Sequence, residues 1–274
     1  MSDLYAVFGN PIAHSKSPQI HAAFAAASGQ DLVYEARLAP VGEFAPAVAE
    51  FVAAGGKGAN VTVPFKEDAY RLATRLSERA ARAGAVNTLS FAAGEIVGDN
   101  TDGAGLVRDI THNLHTPLAG KRILLLGAGG AARGVIAPLL AGQPASLHIA
   151  NRTADKAEAL AAAFSDMAAV HGGNYEKLAG QQFDLIINAT SASLAGASLP
   201  LPAGLFAPGS QAYDMMYGKG DTPFMALARA QGAAQVADGL GMLVEQAAEA
   251  FFVWRGVRPE TSGVLAQLRA VLAG

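Results

Sequence analysis

The stretch Arg122-Ile123-Leu124-Leu125-Leu126-Gly127-Ala128-Gly129-Gly130-Ala131-Ala132 decides the fold. Its aliphatic run leaves no polar face, so Arg122–Leu126 reads as a strand of a parallel sheet covered by helices on both sides. A glycine-rich turn follows at once, and a helix begins there. Gly127-x-Gly129-x-x-Ala132 fits the Ala-terminated form of the dinucleotide fingerprint. Gly127 permits the tight turn, Gly129 lets the backbone approach a pyrophosphate, and Ala132 allows close helix–strand packing. Unpaired N–H groups at the helix start, helped by its dipole, then hold the phosphates. The bland alternative is an ordinary strand–helix turn in an Ala/Gly-rich chain, but the strand–turn–helix context favours the cofactor.

The next strand, Leu147–Ala150, ends at Asn151-Arg152-Thr153. An NAD site usually has an Asp or Glu there to hold the ribose 2′-hydroxyl. That acid is absent. Arg152 pairs naturally with a phosphate in a forked fashion, Asn151 and Thr153 offer further hydrogen bonds, and Lys156 adds charge one turn on. The set favours NADP over NAD. The rival reading makes Arg152 a solvated surface residue and Thr153 a helix cap.

Outward from this core, short aliphatic or β-branched runs alternate with Ala-rich helical runs. Leu4–Phe8, Leu32–Leu38 and Gly58–Val63 read as strands; Pro18–Ser28, Glu43–Ala54 and Lys66–Arg75 read as helices. Val86–Phe91 and Glu95–Val97 form a hairpin about Ala93-Gly94. Further on, Asp184–Asn188, Gln211–Met215 and Gln235–Ala237 are strands, with helices at Asp155–Phe164 and Pro223–Gln231. The chain then stays helical from Met242 to Trp254 and from Thr261 to Leu272. The pattern predicts α/β architecture with two sheets.

Composition narrows the function. Lys+Arg number 20 against 23 Asp+Glu, a net charge of −3 over 274 residues, with no clustered basic block, so a nucleic-acid partner is not expected. Hydrophobic residues make up 51% and charged residues 16%, far from the signature of disorder. No apolar run approaches the ~20 residues that span a bilayer, and Met1-Ser2-Asp3-Leu4 lacks a signal-peptide pattern. The expectation is a cytoplasmic protein with no membrane partner. With no cysteine, disulfides, thiolate zinc sites and a cysteine nucleophile are excluded. His112 and His115 share a helix face by spacing but lack a third ligand, so no metal site is expected.

Several further segments complete a pattern. They are Gly9-Asn10-Pro11 with His14-Ser15-Lys16-Ser17-Pro18, Gly58-Ala59-Asn60-Val61-Thr62-Val63-Pro64-Phe65-Lys66, and Ala83-Gly84-Ala85-Val86-Asn87-Thr88. Gly98-Asp99-Asn100-Thr101-Asp102-Gly103, Asn188-Ala189-Thr190-Ser191, Tyr213-Asp214-Met215-Met216-Tyr217 and Asp238-Gly239-Leu240-Gly241-Met242-Leu243 follow in order. With the Gly127–Ala132 turn and Asn151-Arg152-Thr153, they run over essentially the whole chain, which resembles the shikimate dehydrogenase family.

The resemblance implies NADPH-dependent, reversible reduction of 3-dehydroshikimate to shikimate in aromatic amino-acid biosynthesis, with Lys66 and Asp102 as the catalytic pair. It implies a substrate site built from Ser15, Ser17, Asn60, Thr62, Asn87, Tyr217 and Gln246. Cofactor contacts carry over to Gly127, Ala128, Gly129, Gly130, Ala131, Asn151, Arg152, Thr153, Lys156, Met215 and Gly239, and to Glu78. It further implies an N-terminal α/β substrate domain with a mostly parallel sheet, residues 1–103 plus 240–274. Residues 104–239 form a Rossmann-type NADP-binding domain, and the C-terminal helices return to the first domain. A monomer or homodimer acting on a small-molecule substrate is expected. Two departures stand out: Lys156 replaces an Arg that many members carry, and Ala192-Ser193-Leu194 follows Asn188–Ser191 where many have a Gly sooner.

Local chemistry leaves other readings open. Ser17 before Pro18 makes a good helix start by capping alone, Asp102 before Gly103 serves equally as a cap, and Lys66 fits a first-turn surface lysine. Trp254 and Phe251-Phe252 read as packing residues. The alternative functions are a quinate/shikimate dehydrogenase preferring NAD, and an NADP-binding regulator without turnover.

Overall fold

The computed structural model describes residues 2–192 and 198–273. The chain divides into two compact units, Met1–Gly105 with Val244–Gln267, and Leu106–Leu243 with Leu268–Gly274.

The first unit runs β1 (Asp3–Gly9), α1 (Ser17–Ser28), β2 (Leu32–Leu38), α2 (Phe44–Ala53), β3 (Gly56–Val61), α3 (Lys66–Leu72) and β4 (Arg75–Leu76). It continues through α4 (Glu78–Ala83), β5 (Thr88–Ala92), β6 (Glu95–Asp99) and α5 (Asp102–Arg108), whose last turn passes the unit boundary. The sheet order is β2-β1-β3-β5-β6-β4. β2, β1 and β3 are parallel, β5 and β6 form the expected antiparallel hairpin, and β4 lies parallel to β6. Alternation along β1 serves two cores. Phe8 meets Phe44 and Phe51 edge-on at 5.9 and 5.7 Å, whereas Tyr5 packs tilted on Trp254 at 4.8 Å.

The second unit contains β7 (Arg122–Leu126), α6 (Gly130–Ala141), β8 (Ser146–Ala150), α7 (Ala154–Ala162), β9 (Val170–Gly173) and β10 (Phe183–Asn188). β11 (Phe206–Asp214), α8 (Pro223–Ala230) and β12 (Gln235–Ala237) follow. Every strand pair is parallel, in the order β12-β11-β10-β7-β8-β9. This is the doubly wound Rossmann order, with its switch point between β7 and β10. The aliphatic run behaves as its composition requires. Ile123 and Leu125 enter one core cluster, and Leu124 and Leu126 enter another across the sheet.

Two helices close the chain, α9 (Leu240–Arg255) and α10 (Ser262–Ala273). From Leu268 the tail groups with the second unit, where Arg269 donates to both oxygens of the buried Asp238 at 2.8 Å. The sequence expectation places all of 240–274 in the first unit, whereas the residues from Leu268 on group with the second. Other differences are local. β4 and β9 were not anticipated, and β11 begins five residues earlier than read, through a register shift against β10. α5 continues as a π-helical turn, Asp109–Asn113, which ends before His115, so His112 and His115 do not share a helix face. His115 has a positive φ of 53°. Among the described residues no helix is long and apolar enough to cross a membrane, and no group of three His, Cys, Asp or Glu is placed to hold a metal.

A charge cluster ties α9 into the first unit. Arg79 clamps Asp99 at 2.6 and 2.7 Å and reaches Glu249 on α9 at 2.8 Å, and Glu249 also accepts from Arg258. Burial pulls the Asp99 and Glu249 carboxyls up, but these bonds outweigh it and hold both below their ordinary values. Depressed carboxyl pKa values contribute stability above the unfolded value of about 4, and that contribution disappears as pH falls through the folded values. Arg79→Met is therefore expected to lower the thermal midpoint most at pH 7. The gap to the parent should shrink toward pH 3, measured by thermal melts across that range; a constant gap contradicts the linkage.

Candidate active site

Lys66 opens α3 just beyond β3, and Asp102 opens α5 just beyond β6. Strand ends of an α/β sheet are where ligands gather. Lys66 Nζ donates to Asp102 Oδ2 at 2.5 Å. The side chains are 27% and 10% exposed, so a ligand reaches the amine while much of the surrounding water is excluded. Asp102 does not act as a helix cap. Its Oδ1 accepts from Asn87 Nδ2 at 2.8 Å, so both carboxylate oxygens are engaged by side chains of the site.

Gln246 reaches the same place from α9. Gly105 makes this possible, because a Cβ there would fall 2.6 Å from Gln246 N, too close for any side chain. With that approach, Gln246 Oε1 accepts from Asn87 Nδ2 at 3.3 Å. Asn60 is joined through its amide, which donates to Asn87 O at 3.2 Å. Lys66, Asp102, Asn87, Asn60 and Gln246 thus form one hydrogen-bonded cluster. Thr62 lies half-buried past β3, its N–H donating to Phe8 O at 2.9 Å. Ser17 is not the helix cap. Lys16 holds that position without a side-chain bond, and the Ser17 N–H donates to Ser15 Oγ at 3.3 Å. The Ser17 hydroxyl is buried beside the Tyr34 phenol. Tyr217 belongs to the second unit, half-buried. Burial and then the Asp238 carboxylate push its phenol up, so it stays a neutral donor and acceptor.

In the second unit the glycine-rich turn has the shape phosphate binding demands. Gly127 has φ 108°, and a Cβ there would lie 3.2 Å from Ala189 O. The positive φ strains any larger residue, and the close approach of Ala189 crowds it further. At Gly129 and Gly130 an added Cβ meets nothing within 4 Å, leaving the start of α6 open, and no side chain caps it. Ala128 and Ala131 complete the turn, both partly accessible. Beyond β8, Asn151 Nδ2 donates to Thr153 O at 3.0 Å. Thr153 is the N-cap of α7 yet makes no capping bond, which leaves its hydroxyl for a ligand. Arg152 and Lys156 are exposed, and neither forms an ion pair among the described residues. These features fit an adenosine 2′-phosphate.

Around this turn a buried carboxylate organises the neighbouring loops. Asp214 accepts from Asn188 Nδ2, the Met216 N–H and the Thr222 hydroxyl, at 3.0, 3.0 and 2.6 Å. Asn188 Oδ1 in turn accepts from Thr190. Met215 N–H donates to Asn188 O at 2.9 Å, and Gly239 N–H donates to Met216 O at 3.0 Å, so both follow from the same frame. Asp214 lies in the Tyr213–Tyr217 motif, and its complete burial with three donors gives it this role. Glu78 opens α4 in the first unit and is exposed, whereas the other residues expected at the cofactor lie in the second unit. Ser193 and Leu194 lie outside the described residues.

An open cationic site for a phosphorylated dinucleotide, at a strand end that lacks the ribose-binding acid, in a chain that also carries a lysine–carboxylate pair among neutral amides, defines an NADP-dependent oxidoreductase. Comparison with known proteins narrows the class. Residues 7–89 match the shikimate dehydrogenase substrate binding domain, residues 109–196 the shikimate / quinate 5-dehydrogenase family, and residues 239–269 the shikimate 5'-dehydrogenase C-terminal domain. The shikimate dehydrogenase (NADP(+)) of Dechloromonas aromatica (strain RCB) is 77% identical over 272 residues, 99% of each chain. An Ael1 enzyme from Pseudomonas putida superposes with a TM-score of 0.92 at 54% identity, over 97% of this chain and 98% of that one. Shikimate 5-dehydrogenase from Thermus thermophilus, solved with NADP(H) and shikimate, gives 0.86 at 36% identity over 98% and 100%. The chain belongs to the shikimate dehydrogenase family.

Proposed function

We propose that the protein catalyses the reversible NADP(H)-linked interconversion of 3-dehydroshikimate and shikimate in aromatic amino-acid biosynthesis. The observation that carries this reading is the 2.5 Å contact between Lys66 Nζ and Asp102 Oδ2, set among Asn60, Asn87 and Gln246. NADPH, when bound, supplies the hydride for the ketone carbon. Gly127–Ala131 and Met215 with Gly239 hold it, and Arg152, Thr153 and Lys156 take the 2′-phosphate.

As negative charge builds on the ketone oxygen, Lys66 Nζ gives it a proton across about 2.6–3.2 Å, and in the reverse direction takes one back. Asp102 keeps the amine aimed at that oxygen, and Asn87 keeps Asp102 from turning. Within the first unit, Ser15, Ser17, Asn60, Thr62, Asn87 and Gln246 bind the carboxylate and hydroxyls of the substrate. Such a set of neutral donors and acceptors needs no basic patch, in keeping with the net charge of −3. Analogues lacking a hydroxyl are rejected strongly, because buried partners are then left unpaired. The enzyme acts in the cytoplasm, as a monomer or homodimer.

One spectrophotometric experiment tests the reading: shikimate and quinate, each with NADP and NAD. Reduction of NADP with shikimate, and little with quinate or NAD, is expected. Efficient quinate oxidation with NAD supports the dual-substrate alternative, and cofactor binding without turnover supports a regulator.

A further inference from the structure

Two groups leave the Asn87 amide no choice of orientation. The Thr101 backbone N–H only donates, and it donates to Asn87 Oδ1 at 2.8 Å. The Asp102 carboxylate, already paired with Lys66, receives Nδ2 at 2.8 Å. Because Oδ1 is an acceptor, Thr88 Oγ1 at 2.9 Å must donate to it, and its lone pair then takes Asn60 Nδ2 at 3.1 Å. Asn60 consequently presents Oδ1 to the Tyr34 hydroxyl, which donates at 2.7 Å.

The far end of this series is anchored by packing. The Tyr34 ring lies flat on His21, with centroids 4.2 Å apart and planes 4° from parallel. His21 is fully buried, with Phe24, Phe251 and Trp254 around it. Burial pushes its pKa down to about 3, so the ring is a neutral plate at working pH and relays no proton. Thr88 is also fully buried.

We propose that Tyr34 and Thr88 are positioning residues for the reaction. Through the one-way hydrogen-bond series Tyr34 to Asn60 to Thr88 to Asn87 to Asp102, they fix which faces of the two amides meet the substrate and seat the carboxylate against Lys66. All donors point the same way, so each bond polarises the next. The inference rests on the reading of Asn60 and Asn87 as substrate ligands.

Tyr34→Phe removes the hydroxyl and keeps the ring on His21. Expected is a roughly tenfold rise in the KM for shikimate, the scale of one buried hydrogen bond, with kcat within about threefold and the NADP KM unchanged. Thr88→Val breaks the series at its centre and should lower kcat as well as raise KM, and Thr88→Ser should rescue both. If the parent oxidises shikimate but Tyr34→Phe leaves its KM within about twofold, or Thr88→Ser fails to rescue, the series is overturned and the functional reading stands. If the parent does not turn over shikimate, the functional reading falls. The series is then judged by the Asn60 side-chain NH₂ signals in nuclear magnetic resonance, since Nδ2 donates to Thr88 Oγ1: exchange protection lost in Thr88→Val and kept in Thr88→Ser supports it, and unchanged protection in Thr88→Val overturns it.

Discussion

Lys66→Ala is expected to lower kcat for shikimate oxidation by about 10²–10⁴-fold, the usual contribution of a positioned acid–base group, while KM stays within a few-fold. The geometry gives the reason. Lys66 is one terminus of a hydrogen-bonded cluster whose other members remain when its amine is deleted: Asp102 still has Asn87, and Asn87 still has Thr101 and Gln246. Ground-state binding by the neutral amides is therefore retained, and the step that needs a proton at Nζ is lost. Steady-state rates of NADP reduction at saturating cofactor measure both constants. A large rise in KM with kcat preserved would instead make Lys66 a binding residue.

Arg152→Ala should raise the KM for NADP by about 10- to 100-fold, the range of a charge-assisted hydrogen bond to a phosphate. The KM for NAD should hardly move. β8 ends without the acid that a 2′-hydroxyl prefers, and Arg152 has no ion-pair partner among the described residues that would have to be broken first. Lys156, nearby in α7, supplies the residual affinity, as a point charge without a planar fork. Parallel titrations of the two cofactors settle the point, and equal losses with both refute a phosphate role.

Much of this was legible in the chain, and the exceptions have physical causes. The β7 run and its glycine turn were readable because Ile123–Leu126, buried on both faces of the sheet, is an unbroken apolar run that ends directly at the glycines. The five-residue extension of β11 was hidden by Pro208-Gly209, which reads as a turn and instead sits in the register shift against β10. β9, Val170-His171-Gly172-Gly173, was hidden by its glycines; Gly172 has a smooth side because α7 backbone presses on it. Ser77 caps α4 through the Ala80 N–H, but six residues carry too little periodicity to reveal a helix. At Ser17 the cap rule misled, since Ser15 rather than Ser17 serves the chain there. Tyr34 left no signal, and Thr88 stood at the end of the Ala83–Thr88 motif without a role. A strand tyrosine and a buried threonine look like any others until their shared partner Asn60, 26 and 28 residues away, is known.

The lone tryptophan has a practical consequence of a different kind. Trp254 donates to Leu89 O at 3.0 Å and lies against Tyr5 and His21, all within the first unit. Indole emission is consequently a private optical reporter for that unit, whereas far-ultraviolet ellipticity sums the helices and strands of both. Overlaying the two signals during denaturation reveals whether the halves of the chain melt as one cooperative body or in succession, without attaching a dye.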